Sequence, residues 1–480
     1  MMSNTFQTPK ILNQILVLFK ERYPSHSDAI ILNVALAKMA QMITAKRVHY
    51  SEFGKQGYPN YYAINFEPSG YGKDKMSDEM DNYIFKNCRL WIKNKAEDYK
   101  LQKTEEIRRC YEEQLANVSD KKQIETLVKK DSSCIRNITL EINKATPEGI
   151  FCDAKALIGV DFGSLMIKMG EFGLMLKNSK VEDQQCFQSI FELYDGKLSS
   201  KCIKTENRED ELSNIPCNIL LYSDPTLFAS ELKGMFDSLM QMGFGRRATI
   251  IYMPKTKLTI EEDVDKALEQ SKNFARKADE LGNSFFSTFL NVNSNSVFEL
   301  LDETFKQVFH TYKISLNELV NNEENTLLAR ELKSRELKAL KLSCLFAVLN
   351  HPANHVISPL DMEQAISVVN FLGSNFKEFI KLKPAYKDLY ERVFDFFKEH
   401  LDEEFTITDL KRTHYNAFGC SRKMFDKNFE EIIKYVNDIA SEKGFLLNVK
   451  ESKPKGVKYS LSQMPTGDVS IGVKLLEDII

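Results

Sequence analysis

"NFEPSGYGKDK", residues Asn65–Lys75, follows the apolar "YYAINF" (61–66) and leads into "KMSDEMDNYIF" (75–85), whose apolar residues recur at helical spacing. Strand, glycine-rich turn and helix is the context that a phosphate-gripping loop requires, because turn N–H groups and a helix N-terminus must converge on one phosphate. The loop pattern G-x-x-x-x-G-K-[ST] is met at Gly72 and Lys73. Glu67 stands where its first glycine belongs, and Asp74 where the magnesium-binding hydroxyl belongs. Gly70 and Gly72 permit close backbone approach, and Lys73 supplies a point charge for the β- and γ-phosphates. A carboxylate at Asp74 can bind magnesium directly or through water. The expected nucleotide set is therefore Ser69, Gly70, Tyr71, Gly72, Lys73 and Asp74, with ATP and Mg2+ as cofactors and Asp74 as the metal contact.

The rest of the chain is read outward from that loop. Its 480 residues allow several domains, and 43% hydrophobic with 28% charged residues is ordinary for a globular protein. A net charge of −3 makes the whole chain no polyanion binder, so any nucleic-acid surface must be local. Nine scattered cysteines without a C-x-x-C pair argue against a zinc ribbon or a disulfide framework and for a reducing cytoplasm. The early apolar stretch "ILNQILVLF" reads as an amphipathic helix rather than a signal peptide, and no run is long enough to span a membrane.

Beyond the loop, "KNKAEDYKLQKTEEIRRCYEEQ" and its continuation to Lys130 read as a charged helical insertion. Apolar strand patterns recur at "LMIKM", "CNILLYSD" and "ATIIYMP", separated by helical "FQSIFELYDG" and a polar loop, "KTENREDELSN". This alternation predicts a mainly parallel sheet with helical crossovers. From Pro254 to about His400 the pattern is almost wholly helical, without a convincing strand. Two further helical segments then precede "GFLLNV" and "GVKYSLS", a hairpin that would complete a winged helix-turn-helix. That module carries roughly +4 net charge. Arg422, Lys423 and Lys427 fall in its expected recognition helix, Lys455 and Lys458 in its wing, all as phosphate contacts.

A P-loop motor needs an apolar strand ending in acid, a sensor strand and a charge that reaches the γ-phosphate. Glu171 follows "LMIKMG", with Gly170 at the position usually held by a first acid; Ser223 ends "NILLYS"; Arg246 and Arg247 precede "ATIIY". His351 and His355 in "HPANH" have metal-compatible spacing, but Pro352 and the missing carboxylate motif argue against a site there. "DFG" at 161–163 reads as a turn, since no H-R-D loop accompanies it.

From Ile30 to Phe376 the chain resembles the phage- and plasmid-borne P-loop ATPases related to superfamily 3 helicases, often described as primase-associated or replicative helicase-like. The resemblance rests on "PSGYGKD", "ATPEG", "GSLMIKMGEFG", "LYDG", "GFGRR" and the helical block from "KALKLSCLFAVLNH" to "VVNFLG". It implies an α/β fold, with a P-loop NTPase core of AAA+ or superfamily 3 type, helical N-terminal and lid regions, and a C-terminal winged helix. The corresponding segments are 1–58, 59–256 with an insertion at about 89–145, 257–400, 401–465 and a tail at 466–480. It further implies that Lys73 grips phosphate, that Glu171 polarises water, and that Arg246 or Arg247 acts on a neighbouring subunit's nucleotide. The expected protein is an oligomer, with a hexamer among the candidate sizes, acting on single-stranded or forked DNA in a host bacterial cytoplasm, with a primase or other replication protein as a further partner. Gly170 and Asp74 keep two alternatives open: a nucleotide-regulated replication initiator or loader with little hydrolysis, and a P-loop kinase.

Overall fold

Five consecutive residues of β3 (Tyr62–Phe66) are buried, and so are all seven of β9 (Cys217–Ser223). Strands of this kind occupy the middle of a parallel sheet covered on both faces. The computed structural model places them there. It describes residues 6–463 apart from 69, 115–120, 133–134, 136–137, 139, 144–145, 171, 173–180, 200, 203–207, 210, 226–239, 241–242, 255, 257–262, 381–385, 411–424, 426–428 and 453–455. Together with β4 (Leu165–Met169) and β10 (Ala248–Tyr252) they form a sheet of order β10-β3-β9-β4, parallel throughout. The expected α/β class with a parallel sheet is what is seen.

Successive side chains of a strand point to opposite faces, and here the two faces feed two cores. Tyr62, Ile64 and Phe66 join Ile219, Leu221, Ile167 and Ile250 in one core, beside α6 (Pro147–Ala156) and α7 (Val181–Leu193). Ala63, Leu220, Tyr222, Met166 and Ile251 join the other, beside α1 (Lys10–Arg22) and α2 (Asp28–Thr44). Residues Ala29 to Thr44 of α2 are buried without interruption, as expected of a helix that is apolar on every side. Its few polar residues meet polar sheet positions. Asn33 Nδ2 donates to Asn65 Oδ1 at 2.9 Å, and Tyr61 donates its hydroxyl to Asn33 Oδ1 at 2.7 Å.

Between Pro254 and His400 the chain was expected to lack strands, and that expectation is corrected. β11 (Val297–Leu300) and β12 (Val356–Ile357) join β1 (His49–Glu52) and β2 (Lys55–Gly57) in a second sheet of order β12-β11-β1-β2. β1 and β11 pair in parallel, His49 opposite Val297, across roughly 250 residues of chain. These strands are short and partly exposed, so they carry little apolar pattern. Likewise the polar "KTENREDELSN" stretch is not wholly loop: β6 (Lys201–Cys202) pairs with β7 (Arg208–Glu209), and β8 (Leu212–Ser213) with β5 (Lys197–Leu198).

The charged insertion comprises α4 (Lys86–Gln114) and α5 (Lys121–Ser132). Between α3 (Lys73–Glu79) and α4 the chain makes one π turn, Met80–Ile84, against which α9 (Val264–Asn291) crosses at Gly282. A Cβ at Gly282 would collide with the Tyr83 carbonyl, so only glycine allows the crossing. This part also contains α8 (Phe244–Arg247), α10 (His310–Asn321), α11 (Thr326–Asn350) and α12 (Pro359–Ile380). Residues 1–382 make one compact unit and 383–480 a second. The second contains α13 (Tyr386–Glu399), α14 (Phe429–Glu442) and a three-stranded sheet of order β13-β15-β14. β14 (Phe445–Ser452) and β15 (Gly456–Gln463) are the expected hairpin, and β13 (Phe405–Thr406) adds an edge that the sequence did not announce. Among the described residues no helix is long and apolar enough to cross a membrane.

Asn218 holds the first unit's layers together. Its Oδ1 accepts the Tyr61 N–H at 2.9 Å, and its Nδ2 donates to Thr44 Oγ1 at 2.9 Å and Ser164 Oγ at 3.0 Å. Asn218→Leu leaves three buried polar groups with a lost partner and should cost about 3 kcal/mol in a urea melt. A loss below about 0.5 kcal/mol would mean that the network contributes specificity only.

Candidate functional site

Parallel pairing puts the carboxyl ends of all four strands on one edge. Phe66 is level with Ser223 on one side and Tyr252 on the other, and Met169 is level with Leu221. The glycine loop leaves β3 at this edge, the place where open parallel sheets take their ligands. Gly70 (φ +89°) and Gly72 (φ +87°) are both left-handed, and a Cβ at either would meet nothing within 4 Å. The space beside the loop is open, and the two glycines are required by conformation, not by crowding. Lys73 and Asp74 then begin α3, Lys73 half-buried and Asp74 exposed.

β4 reaches the same place. A Cβ at Gly170, directly after β4, would lie 3.7 Å from Asp74 Oδ1. The strand expected to end in acid therefore meets the first turn of the loop's helix. Glu171 itself lies outside the described residues, as does Ser69. Asp74 fits a magnesium ion held by one carboxylate, with water and phosphate oxygens as the remaining ligands. Among the described residues no group of three or more His, Cys, Asp and Glu is placed to hold a metal ion.

Beneath the loop lies a cluster that sequence reading did not find. Glu67 is fully buried, its N–H donates to Ser223 O at 3.0 Å, and its Oε1 lies 2.8 Å from His26 Nε2. That contact has ion-pair distance without hydrogen-bond direction, so both Glu67 oxygens and both His26 nitrogens lack a hydrogen bond. The Ser223 hydroxyl and the Asn65 amide nitrogen are buried in the same state, and the buried Ser77 and Tyr222 hydroxyls stand against each other. Burial raises the Tyr222 phenol well above its ordinary value, and the carboxylates of Glu67, Asp74 and Asp81 push the same way. Buried polar atoms of this density are satisfied by ordered water or by a ligand. A buried acid in place of a loop glycine was the available signal, but nothing local in the sequence names His26 as its partner.

Behind α3 the charges are paired. Lys38 of α2, fully buried, contacts Asp81 of the π turn at 2.5 Å, and Arg89 bridges Asp81 (3.3 Å) and Glu141 (2.6 Å). Lys168 of β4 reaches Asp78 of α3 at 3.1 Å. Burial lowers the Lys38 ammonium despite Asp81 beside it. These ties fix α3 relative to α2 and β4.

Arg246 and Arg247 sit elsewhere. They precede β10, whose Ala248 is level with Tyr62, the first residue of β3, so about 13 Å of strand separates them from the loop edge. Within one chain they do not meet the glycine loop. Arg247 pairs with Asp195 at 3.3 Å and donates to Gly243 O at 3.4 Å, while Arg246 is exposed. "LYDG" thus acquires a role, since its aspartate orients one arginine. No protein-family model matches the chain, and no curated protein matches its sequence.

Of the residues expected to touch DNA, Arg422, Lys423, Lys427 and Lys455 lie outside the described residues. Lys458 is described, and it and Lys450 contact Glu404 at 2.7 Å and 3.0 Å. The two lysines hold the Glu404 carboxyl below its ordinary range. In the other unit, His351 Nε2 contacts Asp361 Oδ2 at 2.7 Å, a carboxylate that also accepts from Ser358 and Asn350.

Beside the arginine pair, Lys341 of α11 is buried. Its ammonium donates to Tyr194 O at 2.8 Å and lies 3.3 Å from the Tyr194 ring centroid. Burial, opposed by Asp195 and aided by Arg247, pushes it down to about 7 from the ordinary 10.5. Between those values the unfolded chain binds more protons than the fold, so Lys341 makes stability rise with pH through that window. Below it, the cost of a buried charge is fully present. Lys341→Met should therefore raise the melting temperature at pH 6 by several degrees relative to its effect at pH 9, where the lysine is neutral in the fold and only the smaller, remaining part of the deprotonation cost is relieved, against the loss of one neutral hydrogen bond worth about 1 kcal/mol. Equal shifts at both pH values would show that Lys341 stays charged in the fold.

Proposed function

We propose that the protein is an ATP-dependent motor of the P-loop class that acts on DNA, with nucleotide bound between subunits. One observation carries the reading. The end of β4 abuts Asp74 in the first turn after a glycine loop that leaves the central strand of a parallel sheet. That arrangement is what in-line phosphoryl transfer needs: backbone donors and a lysine on the phosphates, a magnesium ligand, and an acid arriving on a separate strand.

In this reading Gly70, Gly72 and Lys73 hold the β- and γ-phosphates, and Asp74 holds magnesium, chiefly through water. The magnesium ion supplies charge neutralisation on the transferring phosphate. Glu171 orients the attacking water, and Ser223, whose buried hydroxyl lacks a partner, senses the terminal phosphate. Arg246 or Arg247 serves the next subunit, since both lie at the opposite edge of their own sheet. The C-terminal unit, with its helices and hairpin, is read as a winged helix that meets DNA phosphates. Lys458, paired with Glu404, must first exchange that partner.

A second reading is a nucleotide-controlled initiator or loader with slow turnover. It is favoured by Gly170, which leaves the first position after β4 without an acid. Titration of purified protein with ATP and magnesium, and turnover with and without single-stranded DNA, separates these readings. Lys73→Ala should weaken ATP about thirtyfold, the loss of one charge-assisted contact. Glu171→Gln should keep ATP affinity and cut turnover about a hundredfold. Tight binding without turnover in the wild type selects the loader. If ATP does not bind the wild type, both readings fall.

A further inference from the structure

The connection between α1 and α2, residues Tyr23–Ser27, meets the glycine loop at two places. At the near side His26 stands against Glu67, the two side chains being 1% and 0% exposed. At the far side the Tyr71 hydroxyl donates to Thr256 O and accepts the Thr256 N–H at 2.8 Å, and Thr256 Oγ1 in turn donates to Ser25 O at 3.1 Å. Tyr23 stacks edge-on against His26 with ring centroids 5.3 Å apart, and Lys20 of α1 donates to His26 O at 2.5 Å. The connection is thus itself held at both ends, since Ser27 caps α2 by accepting from the Ile30 N–H at 3.3 Å.

Glu67 makes this arrangement consequential. A glycine at the loop's first position turns freely, whereas a glutamate must place a carboxylate somewhere. Here it is driven into the interior, and a buried carboxylate without a basic neighbour would cost several kcal/mol. Only a partner on another element can keep the residue there. We propose that His26 is a positioning residue for the glycine loop. Through Glu67 it fixes the loop's first residue, while the chain Ser25–Thr256–Tyr71 fixes the opposite side, so that the N-terminal helix pair sets the phosphate affinity. The proposal rests on the nucleotide reading for its ligand and on geometry alone for the tie.

The test combines amide hydrogen exchange over residues 66–76 with ATP titration, on the full chain, for wild type, His26→Leu, His26→Gln, Glu67→Gly and the His26→Leu/Glu67→Gly pair. His26→Leu should speed loop exchange about tenfold without moving β9, and weaken ATP by about tenfold. His26→Gln, which keeps a polar group beside the carboxylate, should recover to within about threefold of wild type. In the Glu67→Gly background the same change at residue 26 should alter affinity less than about twofold, because the carboxylate through which it acts is gone. Unchanged loop exchange in His26→Leu, or independent multiplication of the two effects, overturns the proposal. If His26→Leu does not fold, Tyr71→Phe takes its place in the exchange arm: about threefold faster exchange supports the tie, and none overturns it. Failure of ATP to bind the wild type defeats the nucleotide reading, while loop exchange still judges the tie.

Discussion

The structure of the first unit depends on β3 being paired on both edges and covered on both faces. Ladders to β9 and β10 satisfy its backbone, and alternate side chains enter two separate cores. Shifting β3 by one residue would exchange Ala63 and Asn65 with Tyr62, Ile64 and Phe66, which neither core could accept. Register is therefore fixed, and with it the point where the glycine loop leaves the sheet. Asn33, Asn65, Tyr61 and Asn218 add direction to what apolar burial alone would leave loose.

A sheet so rigid makes the polar cluster beneath the loop conspicuous. Cores are hydrogen-bonded almost without exception, yet here Glu67, His26 and Ser223 hold buried atoms without such bonds. Buried charge elsewhere in the same unit is paired too: Lys338 donates to Ala248 O at 2.8 Å, and Arg335 Nη2 lies 2.7 Å from Glu331, a contact that like His26–Glu67 has ion-pair distance without hydrogen-bond direction. What sets the cluster beneath the loop apart is its place, at the carboxyl ends of β3 and β9.

The parts legible in the sequence were those governed by local pattern. β3, β9, β10 and β4 were visible because buried parallel strands read as unbroken apolar runs, and α2 because its apolar residues continue around the helix. The second sheet was not, since β1, β11 and β12 are short, partly exposed and assembled from distant segments. Side-chain partnership was equally hidden. Gly70, Gly72 and Lys73 could be singled out from spacing, but no spacing rule links His26 to Glu67, Asp195 to Arg247 or Glu404 to Lys458. Such pairs are made by tertiary proximity, and a linear motif has no access to it.

The two edges of the β10-β3-β9-β4 sheet bear on how a site could be completed. The loop, Asp74 and the end of β4 lie at the carboxyl edge, and the arginine pair at the amino edge. An arginine side chain reaches about 7 Å, well short of the roughly 13 Å of intervening strand. On the proposed reading the arginine must therefore come from a second copy, and the chain's own pair must serve another neighbour. The two arginines are not equivalent for that task. Arg247 is turned toward Asp195 and Gly243, beside the buried Lys341. Arg246 is exposed. The arrangement favours Arg246 as the residue offered outward and Arg247, tied to Asp195 and to the Gly243 carbonyl, as the one that anchors the turn carrying it.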